Sequence, residues 1–271
     1  MTYLEELFSL QGKLVVVTGG GGVIAGSLAE ALLRAGASLS LWGRGRPSLD
    51  AAVERLAPLD PSSDRLSVEV VDTSDERGVG EAFDRTERKQ GIPEVLVNAV
   101  GGNRGTSSFA DTDVQTFESV LRLNLVAGLL VPTKIFAARW IKREIKGSII
   151  NLASMASYVP LSGVWAYDAA KAGVVNLTMA CAKEFAPHDI RVNAIAPGFF
   201  LGKQNRGLLV DPETEALTER GKRVIDHTPY GRFGDAGELA GAVLYLASSR
   251  ASGFVTGVSI PVDGGYLVHN I

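Results

Sequence analysis

The chain has 271 residues, 46% of them hydrophobic and 21% charged, with a formal net charge of −3. This balance excludes a disordered chain and argues against a general affinity for nucleic acid, although a local basic pocket stays possible. A single cysteine, Cys181, rules out an intramolecular disulfide and a cysteine-based metal cluster. No uninterrupted apolar run reaches the length of a membrane span, and the start Met-Thr-Tyr-Leu-Glu-Glu does not read as a signal peptide. The expectation is a cytoplasmic chain without a membrane partner.

Short apolar runs alternate with longer helical patterns. Strands are predicted at Lys13–Thr18, Ser38–Trp42, Leu66–Val71, Val95–Asn98, Ser148–Leu152, Arg191–Ile195 and Gly257–Val262. Ile24, Leu28, Ala31, Leu32 and Ala35 repeat at helical spacing, with Gly36 placed to end that helix. Further helices are predicted over Leu49–Leu56, Asp75–Lys89, Asp113–Arg143, Tyr167–Phe185 and Ala236–Ala247. Such alternation indicates βαβ units: an α/β chain of Rossmann type, a doubly wound parallel sheet with helices on both faces. No linker divides it, so residues 1–271 read as one domain. The longest irregular stretch, Gly198–Tyr230, reads as an inserted lid.

Two places carry chemistry. Thr18-Gly19-Gly20-Gly21-Gly22-Val23-Ile24-Ala25 follows the first strand and opens the first long helix. A glycine-rich turn there lets a pyrophosphate approach the backbone, and the helix N-terminus favours its charge. In a dinucleotide fold the second strand commonly ends in a ribose-binding carboxylate; here it ends Leu41-Trp42-Gly43-Arg44-Gly45-Arg46. Guanidinium groups suit a 2′-phosphate that a carboxylate would repel, so NADP is favoured over NAD through Arg44 and Arg46. Asp72, just after the third strand, is placed to accept from the adenine amino group.

The second place is Tyr167 and Lys171, four apart on one helix face, with Ser154 thirteen residues before Tyr167. A phenol is a poor acid or base at neutral pH, and a neighbouring ammonium lowers its pKa. Bringing it near 7 takes about 4 kcal/mol of differential interaction. Ser154 adds a hydroxyl able to hydrogen-bond a substrate oxygen. The set reads as acid/base chemistry on a carbonyl or alcohol.

With these motifs in order, the chain resembles a short-chain dehydrogenase/reductase along essentially its whole length. Matching positions include Thr18–Ala25, Asp72, Asn98-Ala-Val-Gly101, Asn124, Ser154, Tyr167, Lys171, Asn193, Pro197-Gly198 and Val262-Asp-Gly-Gly265. The resemblance implies that Tyr167 is the general acid in reduction and the base in oxidation. It implies that Lys171 tunes Tyr167 and holds the nicotinamide ribose, that Ser154 polarises the carbonyl, and that Asn124 holds a relay water. Thr18, Gly19, Gly21, Gly22, Val23, Ile24, Asn98, Gly101, Pro197 and Gly198 would serve the cofactor, with Asn98 also bracing its strand. Val23 and Ala25 stand where the usual turn has its second and third glycines. A homo-oligomer, tetramer or dimer, is implied as well.

A finer resemblance is to the D-mannonate oxidoreductase (fructuronate reductase) branch, carried by Asn98–Asn103, Ala196–Leu201 with Gln204-Asn205-Arg206, and His227–Gly234. It differs at Gly202 and Lys203, where that branch commonly has Thr and an acidic residue, and at Gly43, where many relatives have Asp. A hexuronate carries a carboxylate and hydroxyls, so its pocket needs a cation and amide groups. Gln204, Asn205 and Arg206 supply these from the lid, with Asn103 and Arg104 expected on the opposite wall. Alternatives are a reductase of another small ketone or 3-oxoacyl substrate, and a non-catalytic NADP(H)-sensing module. A serine hydrolase lacks its G-x-S-x-G turn, and no ligand cluster supports a metal enzyme.

Overall fold

The computed structural model describes residues 2–202 and 206–270. Seven strands form one parallel sheet: β1 (Leu14–Thr18), β2 (Ser38–Gly43), β3 (Leu66–Val70), β4 (Val95–Asn98), β5 (Ser148–Leu152), β6 (Arg191–Pro197) and β7 (Ser259–Val262). Their order is β3-β2-β1-β4-β5-β6-β7. The chain winds outward from β1 to β3 and then returns to place β4 on the other side of β1. That reversal opens a crevice at the carboxyl ends of β1 and β4, where doubly wound sheets bind ligands.

The central strands β1, β4, β5 and β6 are buried at every position because both faces are covered. Val15 and Val17 point to one layer and Val16 to the other, as period-two geometry requires. The first layer holds α2 (Val23–Arg34), α3 (Arg46–Leu56) and α10 (Ala240–Ala247), packed through Leu28, Leu32, Leu49 and Leu246. The second holds α4 (Glu76–Gln90) and the central helix, packed through aromatic rings. Phe136 meets Phe83 edge to face at 4.9 Å, and Trp42 and Trp140 at 5.5 Å each. The Trp140 indole N–H donates to the Pro93 carbonyl at 2.7 Å, which satisfies the polar atom of a fully buried ring.

The helix expected over 113–143 is present but not uniform. It runs as α5 (Val114–Leu121), a π-helical stretch Arg122–Leu130 and α6 (Val131–Arg143). These 30 residues, although interrupted by polar side chains, are long and apolar enough to cross a membrane by length and composition, but 56% of the most apolar window is buried inside the fold. The helix packs on α7 (Trp165–Phe185), so it reads as a core helix.

Three further differences concern the ends of elements and the irregular stretch. α3 begins at Arg46 rather than Leu49, because Pro47 suits a first turn. Residues 198–230 are not wholly irregular: they contain α8 (Arg206–Leu209) and α9 (Glu219–Asp226), the latter capped by Thr218. A short N-terminal helix, α1 (Tyr3–Phe8), is closed by a capping box between Thr2 and Glu5.

Candidate active site

The crevice holds a cavity of about 580 Å³. One wall is the glycine turn. Gly19 has φ +67°, and a Cβ there would lie 2.9 Å from the Ala99 carbonyl oxygen. A Cβ on Gly21 would lie 2.7 Å from Ser48 Oγ. Gly22 caps α2 without any side-chain hydrogen bond, so the first-turn N–H groups of Val23 and Ile24 are left for a ligand. The turn is a cradle that added side chains would fill, and it fits the pyrophosphate of a nicotinamide dinucleotide. Val23 and Ala25 lie on the helix beyond the turn, so their side chains do not narrow it.

The far end of the cavity is lined by Gly43, Arg44, Gly45, Ser48, Asp72 and Thr73. Ser48 and Thr73 carry no sequence signal beyond their closeness to Arg44 and Asp72 in the chain. Asp72 Oδ1 accepts from Ser74 N–H at 2.8 Å, and this bond, reinforced by Arg44 and Arg122, holds its carboxyl below the usual range. Arg46 is corrected: it does not line the cavity. Placed in the first turn of α3, its guanidinium pairs with Asp50 at 2.8 Å, one helical turn on.

Asn98 is also corrected. It is 1% exposed and does not line the cavity. Its amide nitrogen donates to Thr133 Oγ1 at 3.0 Å and Asn151 Oδ1 at 2.9 Å, and Asn151 in turn donates to Thr178 Oγ1 at 2.9 Å. This buried polar ladder ties β4 to β5 and to both flanking helices, which is the bracing half of its expected role.

Ser154, Tyr167 and Lys171 converge beyond the other end. Ser154 follows β5 and its Oγ accepts from Ala156 N–H at 3.1 Å, which leaves its own proton free to donate. Tyr167 and Lys171 stand on the first two turns of α7, with Lys171 Nζ 5.7 Å from the centre of the Tyr167 ring. Lys171 is 4% exposed and donates to the Leu152 carbonyl at 2.6 Å. Ser157 Oγ donates to the Lys171 carbonyl at 2.7 Å and fixes that turn against the loop after β5.

The expected depression of the phenol is not present in the protein alone. Burial pushes the Tyr167 hydroxyl up, against a hydrogen bond to Ser154 that lowers it, and the neighbouring Asp168 carboxylate pushes it up further. Burial also brings Lys171 down to about 8. The ammonium is spent on a backbone carbonyl and does not outweigh the cost of burying the phenolate.

Asn124 lies in the π-helical stretch, and its side chain is fully used. Its amide donates to the Gly102 carbonyl at 2.7 Å and the Val120 carbonyl at 2.8 Å, and its Oδ1 accepts from Gly102 N–H at 3.1 Å. These bonds fasten the loop after β4 to the helix. A Cβ on Gly101 would lie 2.7 Å from Asn124 Oδ1 and 3.2 Å from Lys171 Nζ, so only glycine passes between them.

The expected substrate residues are less assembled. Asn103 is exposed and donates to its own loop at the Gly105 carbonyl, 2.7 Å away. Arg104 lies on the nucleotide cavity rather than on a substrate wall. Gln204 and Asn205 fall outside the described residues. Arg206 pairs with Glu215 at 3.0 Å, not with Asp211, whose Oδ1 is taken by the N–H groups of Glu213 and Thr214. Pro197 ends β6, and Gly198 packs where a Cβ would lie 2.6 Å from the Asp263 backbone.

Residues 21–267 match the family described as enoyl-(acyl carrier protein) reductase. An uncharacterised oxidoreductase of Bacillus subtilis, UxuB, is 35% identical over 97% of each chain. Gluconate 5-dehydrogenase of Gluconobacter oxydans is 33% identical over 97% of this chain and 98% of its own. Among solved structures, a Haemophilus protein provisionally assigned as a D-mannonate oxidoreductase, with bound NAD, overlays with a TM-score of 0.90 at 32% identity, covering 98% of this chain and 99% of that one. A Burkholderia cenocepacia gluconate 5-dehydrogenase in complex with NADP and tartrate gives 0.87 at 30% identity, covering 99% and 100%. Likeness at this identity, held from end to end of both chains and extending to the same fold, shows that the chain belongs to the short-chain dehydrogenase/reductase family and is an NAD(P)-dependent oxidoreductase.

Proposed function

We propose that the protein interconverts a keto-hexuronate and the matching hexonate, of the fructuronate and mannonate type, with NADP(H) as the preferred cofactor. The observation that carries the chemistry is the convergence of Ser154, Tyr167 and Lys171 beside the nucleotide cavity. Relatives named for gluconate and D-mannonate support the substrate class. The bound cofactor supplies the hydride. Ser154, whose hydroxyl bonds Tyr167 in the protein alone, turns its proton to the substrate oxygen and polarises the carbonyl. Tyr167 gives the proton in reduction, and a phenol whose pKa is raised by burial is fully protonated for that task at neutral pH. Lys171 holds the nicotinamide ribose and brings positive charge to the site. With its side chain committed to Gly102 and Val120, Asn124 serves a relay water only through its backbone, where a π-helical turn disturbs the usual carbonyl pairing.

Arg44 and Ser48, at the cavity's far end, are the groups we assign to the 2′-phosphate. The segment 198–230 acts as the lid over the substrate, with Gln204, Asn205 and Arg206 on it. A cytoplasmic homo-oligomer completes this reading, supported by the apolar groups Met179 and Phe254 that the single chain leaves exposed; sedimentation equilibrium reads the subunit count.

The test is turnover with fructuronate, mannonate, gluconate and neutral ketones, each with both cofactors. Arg206→Ala weakens a carboxylate-bearing substrate by about 2 kcal/mol or more and leaves a neutral ketone unchanged. Equal loss on both would assign Arg206 to shaping the lid through Glu215. A Thermotoga maritima relative named 3-oxoacyl-[acyl-carrier-protein] reductase, 31% identical, favours a second reading, an acyl-carrier ketone reductase; preference for a 3-oxoacyl thioester in the same screen would select it.

A further inference from the structure

Most arginines of this chain have a partner. Arg34, Arg46, Arg65, Arg85, Arg139 and Arg232, for example, pair with carboxylates. The buried Arg191 donates to Ser252 Oγ and the Leu246 carbonyl. Arg44, Arg104 and Arg122 make no side-chain hydrogen bond or ion pair among the described residues, yet all three line the one nucleotide cavity. They reach it from different elements: the loop after β2, the loop after β4 and the π-helical stretch of the central helix. Asp72 is the sole carboxylate in that lining, so the cavity carries three guanidiniums against one acid within a chain of net charge −3. Positive charge concentrated in a cleft of an acidic protein focuses the field on an anion.

The glycine turn offers a doubly charged pyrophosphate only neutral N–H groups and the roughly half charge of a helix N-terminus. No lysine or arginine stands among Gly19–Ile24. The neutralising charge has to come from elsewhere on the cavity wall. Arg44, beside Ser48, is placed for the ribose end. Arg104 lines the cavity with Val100 and Gly101, and Arg122 with Ser119 and Leu123, on segments separate in the chain from the glycine turn that lines it too. Arg122, like Arg44, also acts on the Asp72 carboxyl.

We propose that Arg104 and Arg122 form a second cationic wall that grips the pyrophosphate of the dinucleotide from across the cleft. Of the three guanidiniums, Arg44 is the one assigned, with Ser48, to the 2′-phosphate. The inference rests on the cavity being the nicotinamide dinucleotide site. Unpaired guanidiniums with their donor forks free suit phosphate oxygens, and being partly exposed they make the grip sensitive to salt.

The experiment measures dissociation constants of the full-length protein for NADPH, NADH, ADP-ribose and adenosine 2′-monophosphate at two salt concentrations. ADP-ribose carries the pyrophosphate without the 2′-phosphate; adenosine 2′-monophosphate carries the reverse. The double variant Arg104→Gln/Arg122→Gln should weaken ADP-ribose and both cofactors by about tenfold, with a shallower salt dependence, and leave adenosine 2′-monophosphate within about twofold of wild type. Arg44→Gln should weaken NADPH and adenosine 2′-monophosphate while sparing ADP-ribose. The double variant replaces exposed side chains that hold nothing in the fold, so an unchanged melting curve accompanies the loss. Wild-type affinity for ADP-ribose in that variant overturns the proposal. Failure of the wild type itself to bind any dinucleotide would instead overturn the cofactor assignment of the cavity.

Discussion

Lys171 shows how much the site costs the fold at the level of one residue. Its ammonium is buried, with one carbonyl for company, and its pKa falls from 10.5 to about 8. The folded state releases the proton near pH 8 and the unfolded chain near 10.5, so between those values the unfolded chain binds more protons and stability rises with pH. Below pH 8 the full penalty is present, on the order of 3 kcal/mol. Lys171→Met should therefore melt at or above the wild-type temperature at pH 7, and the difference should shrink by pH 10, as read by calorimetry without cofactor. A lower melting temperature at pH 7 would show that the Leu152 hydrogen bond outweighs the buried charge. Tyr167→Phe keeps the ring and removes the proton, and turnover should fall by about two to four orders of magnitude. In the wild type, oxidation needs the phenolate and should climb with pH toward the raised phenol pKa, whereas reduction should be flat across neutral pH. An oxidation rate that is flat between pH 7 and 9 would remove Tyr167 from the base role.

At the scale of elements, the site depends on a contact between the loop after β4 and the π-helical stretch of the central helix. Asn124 holds Gly102 with two hydrogen bonds, and Gly101 lets the loop pass beside Lys171. A Cβ at 101 would press on the Asn124 carboxamide and the Lys171 ammonium together. Gly101→Ala should lower turnover about tenfold or more with little change in melting temperature, because a displacement near 1 Å at a catalytic group is costly in rate and cheap in stability. Gly128→Ala, whose Cβ would meet the Val100 carbonyl at 2.5 Å, is the companion on the helix side. Wild-type kinetics in Gly101→Ala would show that the loop can shift without moving the catalytic groups. The π-helical stretch was not legible in the sequence. Its residues continue the same apolar pattern as the α-helical turns beside them, and the widened turn is set by what Asn124 and Gly128 meet across the loop.

For the whole molecule, the acidic surface and the basic cleft bear on cofactor choice. On the proposed reading a 2′-phosphate would add charge at the end where Arg44 stands and where Gly43 offers no carboxylate. NADPH should bind more tightly than NADH, and the margin should narrow as salt is raised. Arg44→Asp should invert the preference by setting two anions against each other. Equal affinities in the wild type would show that Arg44 is merely solvated. The expectation that Arg46 shares this work did not survive folding: Asp50, four residues on, lies within reach only because Pro47 starts the helix early enough to put both on one face.

Local pattern by itself determined the doubly wound sheet, the glycine turn after β1 and the Ser154–Tyr167–Lys171 set. Strand and helix periods, turn glycines and a four-residue helical spacing are all properties of neighbours in the chain. Only the tertiary structure decided which polar groups stay free. It committed Asn98 to a buried ladder, Arg46 to Asp50, Arg206 to Glu215 and the Asn124 side chain to the loop after β4, and it left Arg104 and Arg122 unpaired on the cavity. Whether a polar side chain serves the fold or a ligand depends on the partners that distant segments bring within hydrogen-bonding range. The sheet order fixes that proximity; no stretch of sequence contains it.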